Sequence, residues 1–119
     1  MKGLESVLSR NGVIYAVLAS PEGVITYEFG DSALLPYSGL LDQDFGGSER
    51  VVALLRSLEG QFLPQVASQG NLVCMQTLLP SGGVVGAFAL ESGDAVATQL
   101  WAEQLESELF AAVLEDKRS

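Results

Sequence analysis

The sequence predicts an α/β (α+β) fold, a three-layer α/β/α sandwich around a five-stranded antiparallel sheet. The spacing of apolar residues changes in the order helix, two strands, helix, three strands, helix. Consecutive strands are joined by tight turns, which makes them antiparallel. Two strands are apolar on both faces, so helices must cover both sides of the sheet.

The chain has 119 residues, of which 48% are hydrophobic. A domain of this size buries roughly 65% of the surface that its unfolded chain exposes, which is enough for a substantial core. The hydrophobic fraction is ordinary for a globular protein and excludes a disordered chain. We therefore expect residues 1–119 to form a single domain.

The first half supplies a helix and two strands. Asn11-Gly12 ends a short helix whose apolar stripe is Leu4, Val7 and Leu8. GVIYAVLAS is apolar on both faces, which predicts an interior strand. After a turn at residues 21–23, VITYEF alternates and suits a position nearer a sheet edge. Residues 30–47 contain one proline and several glycines, and we expect irregular structure there with a helical turn or two.

The second half supplies a helix, three strands and a closing helix. Ser48 is expected to cap the middle helix, whose core stripe is Val51, Leu54, Leu55, Leu58 and Phe62. Gly70-Asn71 predicts a type II′ turn between FLPQVASQ and LVCMQTLL. VVGAFALE follows, and the final helix runs from about Ala95 to Glu115 with the core stripe Trp101, Leu105, Leu109 and Ala112.

A glycine cluster lies in LPSGGVVGAFAL, residues 79–90. Gly-Gly-x-x-Gly resembles a phosphate-binding loop, but such a loop leads into a helix N-terminus. Here Gly83 is followed by an apolar stretch typical of a strand, without a Lys-Ser/Thr pair. We therefore interpret the cluster as a hairpin turn, with Gly86 as a bulge or a close-packing position.

The stretch DQDFGGSE, from Asp42 to Glu49, begins like a calcium-binding loop. The acid expected at the twelfth position is replaced by Ala53, and the fifth position is Gly46. We prefer a solvated acidic loop. The chain has no histidine and one cysteine, which excludes an ordinary zinc site. We therefore expect no metal and no cofactor.

Catalysis has little support in the sequence. Without histidine there is no Ser-His or Cys-His pair, and Cys74 lies mid-strand among apolar residues, where a thiol is usually inert. We expect a protein that is not an enzyme, with an enzyme that uses only carboxylates as a third interpretation. Gln76 and Thr77 are the best polar candidates for the alternative function, a small-ligand sensor with a pocket between sheet and helix.

Charge narrows the class of partner. Six basic residues are scattered among fifteen acidic ones, for a net charge of −9. No cationic stripe exists for nucleic acid, and an anionic membrane surface would repel the chain. The lone Cys74 fits a reducing compartment, and the opening residues lack an apolar signal segment. We expect a cytoplasmic protein that does not insert into membranes.

Three surfaces could bind a protein partner. On the middle helix, a strip of small residues is either a plain solvated face or a contact for another helix; it comprises Ala53, Ser57 and Gly60, flanked by Arg50 and Arg56. The segment from Leu63 to Gln69, with Gln65 and Ala67, carries no charge, and Pro64 places it at a sheet edge, where strand addition is favoured. On the last helix, Phe110 and Leu114 lie off the core stripe and suggest an interface, although terminal fraying also explains them.

The pattern of elements resembles the roadblock/dynein light chain family over nearly the whole chain. The likeness rests on LESVLSR, NGVIYAVLASPEGVITYEF, SERVVALLRSL, LVCMQTLLPSGGVVGAFAL and the closing helix, with Gly23 in the expected turn. The segment from Asp31 to Gly47 is longer and more broken than the usual entry to the middle helix.

This resemblance implies a non-catalytic, profilin-like sandwich without an active site of its own. Members of the family usually dimerise by joining edge strands, with the middle helices alongside. Many are scaffolds or regulators of Ras-like small GTPases, and bacterial examples include partners of the gliding-motility GTPase. We therefore expect a homodimer that binds or regulates such a GTPase.

Overall fold

A computed structural model describes the backbone of residues 2–90 and 93–118, and the side chains of residues 3–90 and 93–113. In chain order, its elements are α1 (Lys2–Arg10), β1 (Tyr15–Ala19), β2 (Ile25–Gly30), a 3-10 turn (Ser32–Leu34), α2 (Gly39–Phe45), α3 (Ser48–Leu58), β3 (Gln65–Gln69), β4 (Leu72–Leu78), β5 (Val84–Leu90) and α4 (Ala95–Arg118). None of the helices in this described part is long and apolar enough to cross a bilayer.

The strands form one five-stranded sheet in the order β2-β1-β5-β4-β3, and every neighbouring pair is antiparallel. The predicted fold class is therefore confirmed. β1 lies between β2 and β5 and is buried along its length, as expected for an interior strand. β2 and β3 are the two edges, which also agrees with the sequence patterns.

Helices cover both faces of the sheet and create two cores. Alternate residues of the interior strands contribute to each, since neighbouring side chains of a strand point to opposite faces. One core joins α1 and α4 to the sheet through residues such as Leu8, Met75 and Leu105. The other joins α2 and α3 to the opposite face through residues such as Leu54 and Phe88.

The glycine cluster is a hairpin turn, as predicted. The amide of Gly82 donates to the carbonyl of Leu79 at 2.9 Å, and the amide of Leu79 donates to Gly83 at 2.8 Å. Gly82 has a φ of 95°, which a residue with a side chain rarely adopts. Gly86 is paired in regular register with both neighbouring strands, so it is a close-packing position and not a bulge.

The segment between β2 and α3 contains irregular structure and two short helical stretches, in agreement with the expectation of a helical turn or two. Residues 39–45 form the helix α2 and add an element to the predicted order, although glycines and a proline surround them. Leu40 and Phe45 are buried beneath it. Burial of these two apolar side chains therefore stabilises a helix that local propensity alone does not favour.

Two predictions for the middle helix are wrong. Ser48 is the first residue of α3, its cap position is Gly47, and no side chain caps the helix. The periodicity predicts Phe62 in the core stripe, but α3 ends at Leu58 and Phe62 is 97% exposed. Gly60, with a φ of 80°, turns the chain away before Phe62 could reach the core face.

The closing helix packs largely as predicted. Leu105, Leu109 and Ala112 are buried beside Ala102 and Val113. Trp101 is only half-buried, because its indole lies at the border of the core. Its Nε1 donates to the carbonyl of Asn11 at 2.8 Å and so ties α4 to the end of α1.

Candidate functional site

The free edge of β3 is the first candidate. The two-residue turn at 70–71 makes Gln69 a hydrogen-bonded partner of β4, and such pairs alternate along antiparallel strands. Ala67 therefore also bonds to β4 through its backbone. The backbone groups of Val66 and Ser68 point away from the sheet, where they are free to pair with another strand.

The side chains of β3 divide between the two faces of the sheet. Gln65, Ala67 and Gln69 share the face covered by α2 and α3, and Ala67 packs against that core. Val66 packs against the opposite core, and Ser68 lies exposed on the same side. Three of the predicted interface residues therefore lie together along one edge, and none of the strand's residues is charged.

A polar chain connects this edge to α2. The Gln65 Nε2 atom donates to the Gln76 Oε1 atom at 3.1 Å, and the Gln76 amide donates to the Asp44 carboxylate. Desolvation raises the pKa of Asp44, although the hydrogen bond from Gln76 acts in the opposite direction. Burial, reinforced by the charge of Asp44, raises the pKa of the Cys74 thiol well above its ordinary value. The Cys74 thiol therefore stays protonated at neutral pH.

The strip predicted on the middle helix is only partly formed. Arg50, Ala53 and Ser57 are exposed on α3, but Gly60 lies beyond the helix end. Arg50 donates to the carbonyl of Asp42 at 3.2 Å, and the Ser57 hydroxyl donates to the carbonyl of Leu54 at 2.7 Å.

The two ends of α3 lie at opposite sides of the sheet. A Cβ on Gly23, in the β1–β2 turn, would lie 2.6 Å from the carbonyl oxygen of Ser48, so α3 begins there. Leu58, at the other end, lines a groove together with Leu63 and Leu78. Arg50 and Ala53 therefore lie towards the β2 side, away from Leu63 and the β3 edge.

A groove of about 180 Å³, lined by both apolar and polar side chains, lies at the start of the β3 edge. Phe62 and Leu63, which are 97% and 58% exposed, form one side of it, and Phe110 forms another. Phe110 is half-buried against the α1–α4 core, so it is less exposed than the sequence suggested. The predicted partner residue Leu114 lies in α4, but its side chain is outside the described residues.

Sequence reasoning missed Phe62 and Tyr37 as surface residues. Phe62 falls in helical register with Leu58, but Gly60 between them is a helix stop and could have revealed the error. Tyr37 is 41% exposed, and its ring occupies the space in which a side chain at Gly70 would lie. No local pattern indicates this contact, because residues 37 and 70 belong to distant parts of the sequence.

Residues of the acidic stretch DQDFGGSE and the polar residues Gln76 and Thr77 form hydrogen bonds within the chain. Asp42 and Asp44 lie in α2 and not in the solvated loop expected there. Within the described residues, no group of three or more acidic, cysteine or histidine side chains could hold a metal ion. Gln76 and Thr77 are buried, as the sensor alternative requires, but they bond to Asp44 and Glu106 within the chain.

The cleft between α4 and the sheet is small. It encloses about 220 Å³ and is lined by Trp101, Asn11 and Thr98 among others. The side chains of Asn11 and Thr98 already donate to backbone carbonyls, at 2.8 and 2.9 Å. Ligand pockets usually enclose about 300–1,000 Å³ with convergent polar groups. No specific feature of this cleft favours the sensor interpretation.

Comparisons with known proteins agree with this architecture. No protein-family model matches the chain, and no curated protein matches it. Among solved structures, MglB from Myxococcus xanthus is 13% identical, with 95% of each chain covered and a TM-score of 0.61. The gliding protein MglB from Thermus thermophilus is 18% identical, with 96% of this chain and 87% of that chain covered and a TM-score of 0.57.

A Roadblock/LC7 domain from Streptomyces avermitilis is 16% identical, with 92% of this chain and 97% of that chain covered and a TM-score of 0.51. One MglB structure is described as having a tetrameric arrangement. Identities this low establish shape and not activity. The chain therefore has the roadblock-like fold that is also found in the gliding protein MglB.

Proposed function

We propose that this chain is a non-catalytic module that forms homodimers and binds or regulates a Ras-like small GTPase in the cytoplasm. The uncharged, free edge of β3 is the observation that carries the proposal. Natural sheets usually protect such edges with charged side chains, and here Gln65 to Gln69 offer none.

Self-association is supported by the contrast between this edge and the rest of the chain. Fifteen acidic residues give a net charge of −9, so two copies repel each other over most of their surfaces. No charged residue occurs from Gly60 to Leu90, the stretch that includes β3. Two copies can therefore meet at this edge with little electrostatic cost.

Absence of catalysis is part of the proposal. The chain contains no histidine, and its single thiol, Cys74, is buried with a raised pKa. The buried polar residues Gln76 and Thr77 bond to side chains of the same chain. These features are those of a packed scaffold and not of a site prepared for substrate.

The GTPase part of the proposal rests on the shared fold with MglB and on the family resemblance of the sequence. Capture on the immobilised chain tests it, from a lysate of the source cells incubated with GDP or with a non-hydrolysable GTP analogue. We expect mass spectrometry to identify a Ras-like GTPase whose recovery depends on the nucleotide. The purified GTPase should then bind the chain directly and change its rate of GTP hydrolysis. Recovery of no P-loop GTPase under either condition would contradict this part.

A further inference from the structure

We infer that a groove between α2 and the edge strand β2 binds an arginine side chain of a protein partner. β2 is covered by helices on one face of the sheet only. Tyr27 and Phe29 pack against the core that contains α1 and α4. Ile25 and Glu28 lie on the other face, opposite Ala19 and Val17 of β1, and both are exposed. Helices α2 and α3 therefore leave this edge of the sheet open.

The opening is a groove of about 190 Å³, which we call the β2 groove. One wall comes from the sheet and the other from α2. The lining combines apolar, aromatic and acidic side chains and includes Tyr15, Ile25, Glu28, Leu41, Asp42 and Phe45. Pockets for whole small molecules usually enclose about 300–1,000 Å³. The β2 groove therefore suits a single long side chain better than a small-molecule ligand.

Two acidic residues line the β2 groove, one on each wall. Glu28 belongs to β2, and Asp42 belongs to α2. The buried Tyr15 donates from its hydroxyl to the Glu28 Oε2 atom at 2.8 Å, which holds this carboxylate in place. An ionised carboxylate has about four acceptor positions, so this bond leaves most of them free. Glu28 is therefore fixed in position and still able to accept hydrogen bonds from a partner.

The chain pairs neither of these acids with a cation of its own. Among the side chains that the structure describes, the only ion pair joins Arg10 to Glu108, on the side of α1 and α4. Arg50 lies close to α2, but its guanidinium donates to the backbone carbonyl of Asp42 at 3.2 Å and forms no ion pair with the carboxylate. The net charge of −9 adds to the negative potential of the groove. A positively charged group of a partner is therefore complementary to the β2 groove.

Arginine matches the mixed lining of the groove better than other cations do. Its aliphatic stem can pack against Ile25 and Leu41 while the charged group stays near water. Its planar guanidinium carries five N–H donors, which suits two carboxylates at once, and it stacks on aromatic rings such as that of Phe45. An exposed ion pair alone contributes little affinity, so these apolar contacts are part of the inference.

The β2 groove lies at the opposite edge of the sheet from β3. Association of two copies through β3 leaves it open. Binding at the groove can therefore be tested whether the chain is a monomer or a dimer, and its failure would not affect the proposed self-association.

An NMR titration of the ¹⁵N-labelled protein with the capped pentapeptide Ala-Leu-Arg-Leu-Ala tests the inference. We expect saturable chemical-shift changes centred on the backbone amides of Glu28 and Asp42. The same peptide with citrulline, the neutral isostere of arginine, should bind at least about tenfold more weakly, because the charge-assisted hydrogen bonds are lost.

Three charge-neutralising variants locate the binding site. Glu28→Gln keeps an acceptor for the Tyr15 hydroxyl, and Asp42→Asn changes an exposed side chain. Each should raise the Kd of the arginine peptide at least about fivefold. Glu103→Gln on α4, which covers the opposite face of the sheet, is the control with the same change in net charge. It should raise the Kd less than about twofold, since salt screens distant exposed charges.

Several results would overturn the inference. Equal binding of the arginine and citrulline peptides would show that charge does not matter, and shift changes centred elsewhere would place the peptide on another surface. An unchanged Kd for Asp42→Asn would do the same, even if Glu28→Gln disturbs the Tyr15 contact. Free arginine that binds as tightly as the peptide would assign the groove to a free amino acid. Ca²⁺ that causes the same shifts at lower concentration than the peptide would assign it to a metal ion.

Discussion

The aromatic ring of Phe45 in α2 occupies the space in which a side chain at Gly86 of β5 would lie. A Cβ built on Gly86 would be 2.5 Å from Cε2 of Phe45. Gly86 lies in the strand that pairs with both β1 and β4, so its backbone cannot shift without disturbing two ladders. This contact fixes the position of α2 over the middle of the sheet.

Substitution of Gly86 by alanine should therefore destabilise the fold. We expect the free energy of unfolding to fall by about 1–3 kcal/mol, because the added methyl group overpacks the core. Urea denaturation at a fixed protein concentration measures the change. Gly3→Ala is the control, since a Cβ there meets nothing within 4 Å in helix α1. The control should be neutral or stabilising by up to about 1 kcal/mol. Equal destabilisation by both variants would disprove the contact.

Truncation of Phe62 distinguishes a surface residue from a core residue. Phe62→Ala should leave the unfolding free energy of the monomer within about 0.5 kcal/mol of wild type, since the side chain is exposed. Leu58→Ala, in the buried stripe of α3, should cost about 2–5 kcal/mol. Denaturation at a concentration low enough to dissociate dimers gives both values. A loss of unfolding free energy for Phe62→Ala as large as that for Leu58→Ala would show that Phe62 is buried in the core.

Glu108 should stabilise the fold at neutral pH. Hydrogen bonds from Arg10, at 2.6 Å, and from Gln104 hold the pKa of Glu108 below its ordinary value. A lowered pKa gives stability that is present above the ordinary value and lost as pH falls through the folded value. Glu108→Gln should therefore lower the Tm at pH 7, and the difference from wild type should disappear as pH falls through the lowered folded-state pKa. The difference should shrink in high salt, and a pH-independent difference would count against the ion pair.

The ionised carboxylate of Asp44, unlike that of Glu108, should destabilise the fold at neutral pH. Desolvation raises its pKa, so the folded state favours the protonated form. The resulting stability is present at low pH and is lost as pH rises through the folded pKa. Asp44→Asn keeps an oxygen to accept from Gln76 and should raise the Tm at pH 7, with a gain that vanishes below about pH 4. A lower Tm at pH 7 would show that the negative charge stabilises this position.

The sequence predicted those parts of the fold that depend on local patterns. Tight turns at Gly23, Gly70 and Gly82 correctly gave three hairpins, because their positive φ values are needed where two strands reverse. Pro64 correctly indicated the edge position of β3. The pairing of β1 with β5 was beyond sequence reasoning, because nothing local encodes which distant strands lie side by side.

The features that the sequence analysis left open or predicted wrongly have a common physical origin. Helix α2 and the contact between Tyr37 and Gly70 depend on tertiary packing, which overrides the local signals of glycine and proline. Phe62 fits the periodicity of α3, but periodicity does not register that Gly60 has already ended the helix. The sequence correctly predicted that β3 is an edge strand. The strip at Arg50 and Ala53 on α3 lies away from that edge.

The molar mass in solution, measured by size exclusion with light scattering, tests the central claim that two copies associate through β3. Wild type at high micromolar concentration should have twice the 12.6 kDa mass of one chain. Ser68→Glu on β3 and Thr26→Glu on the opposite edge strand β2 change the net charge equally. We predict a monomer for Ser68→Glu and a dimer for Thr26→Glu. A monomeric wild type, or a Ser68→Glu variant that remains dimeric, would contradict the claim.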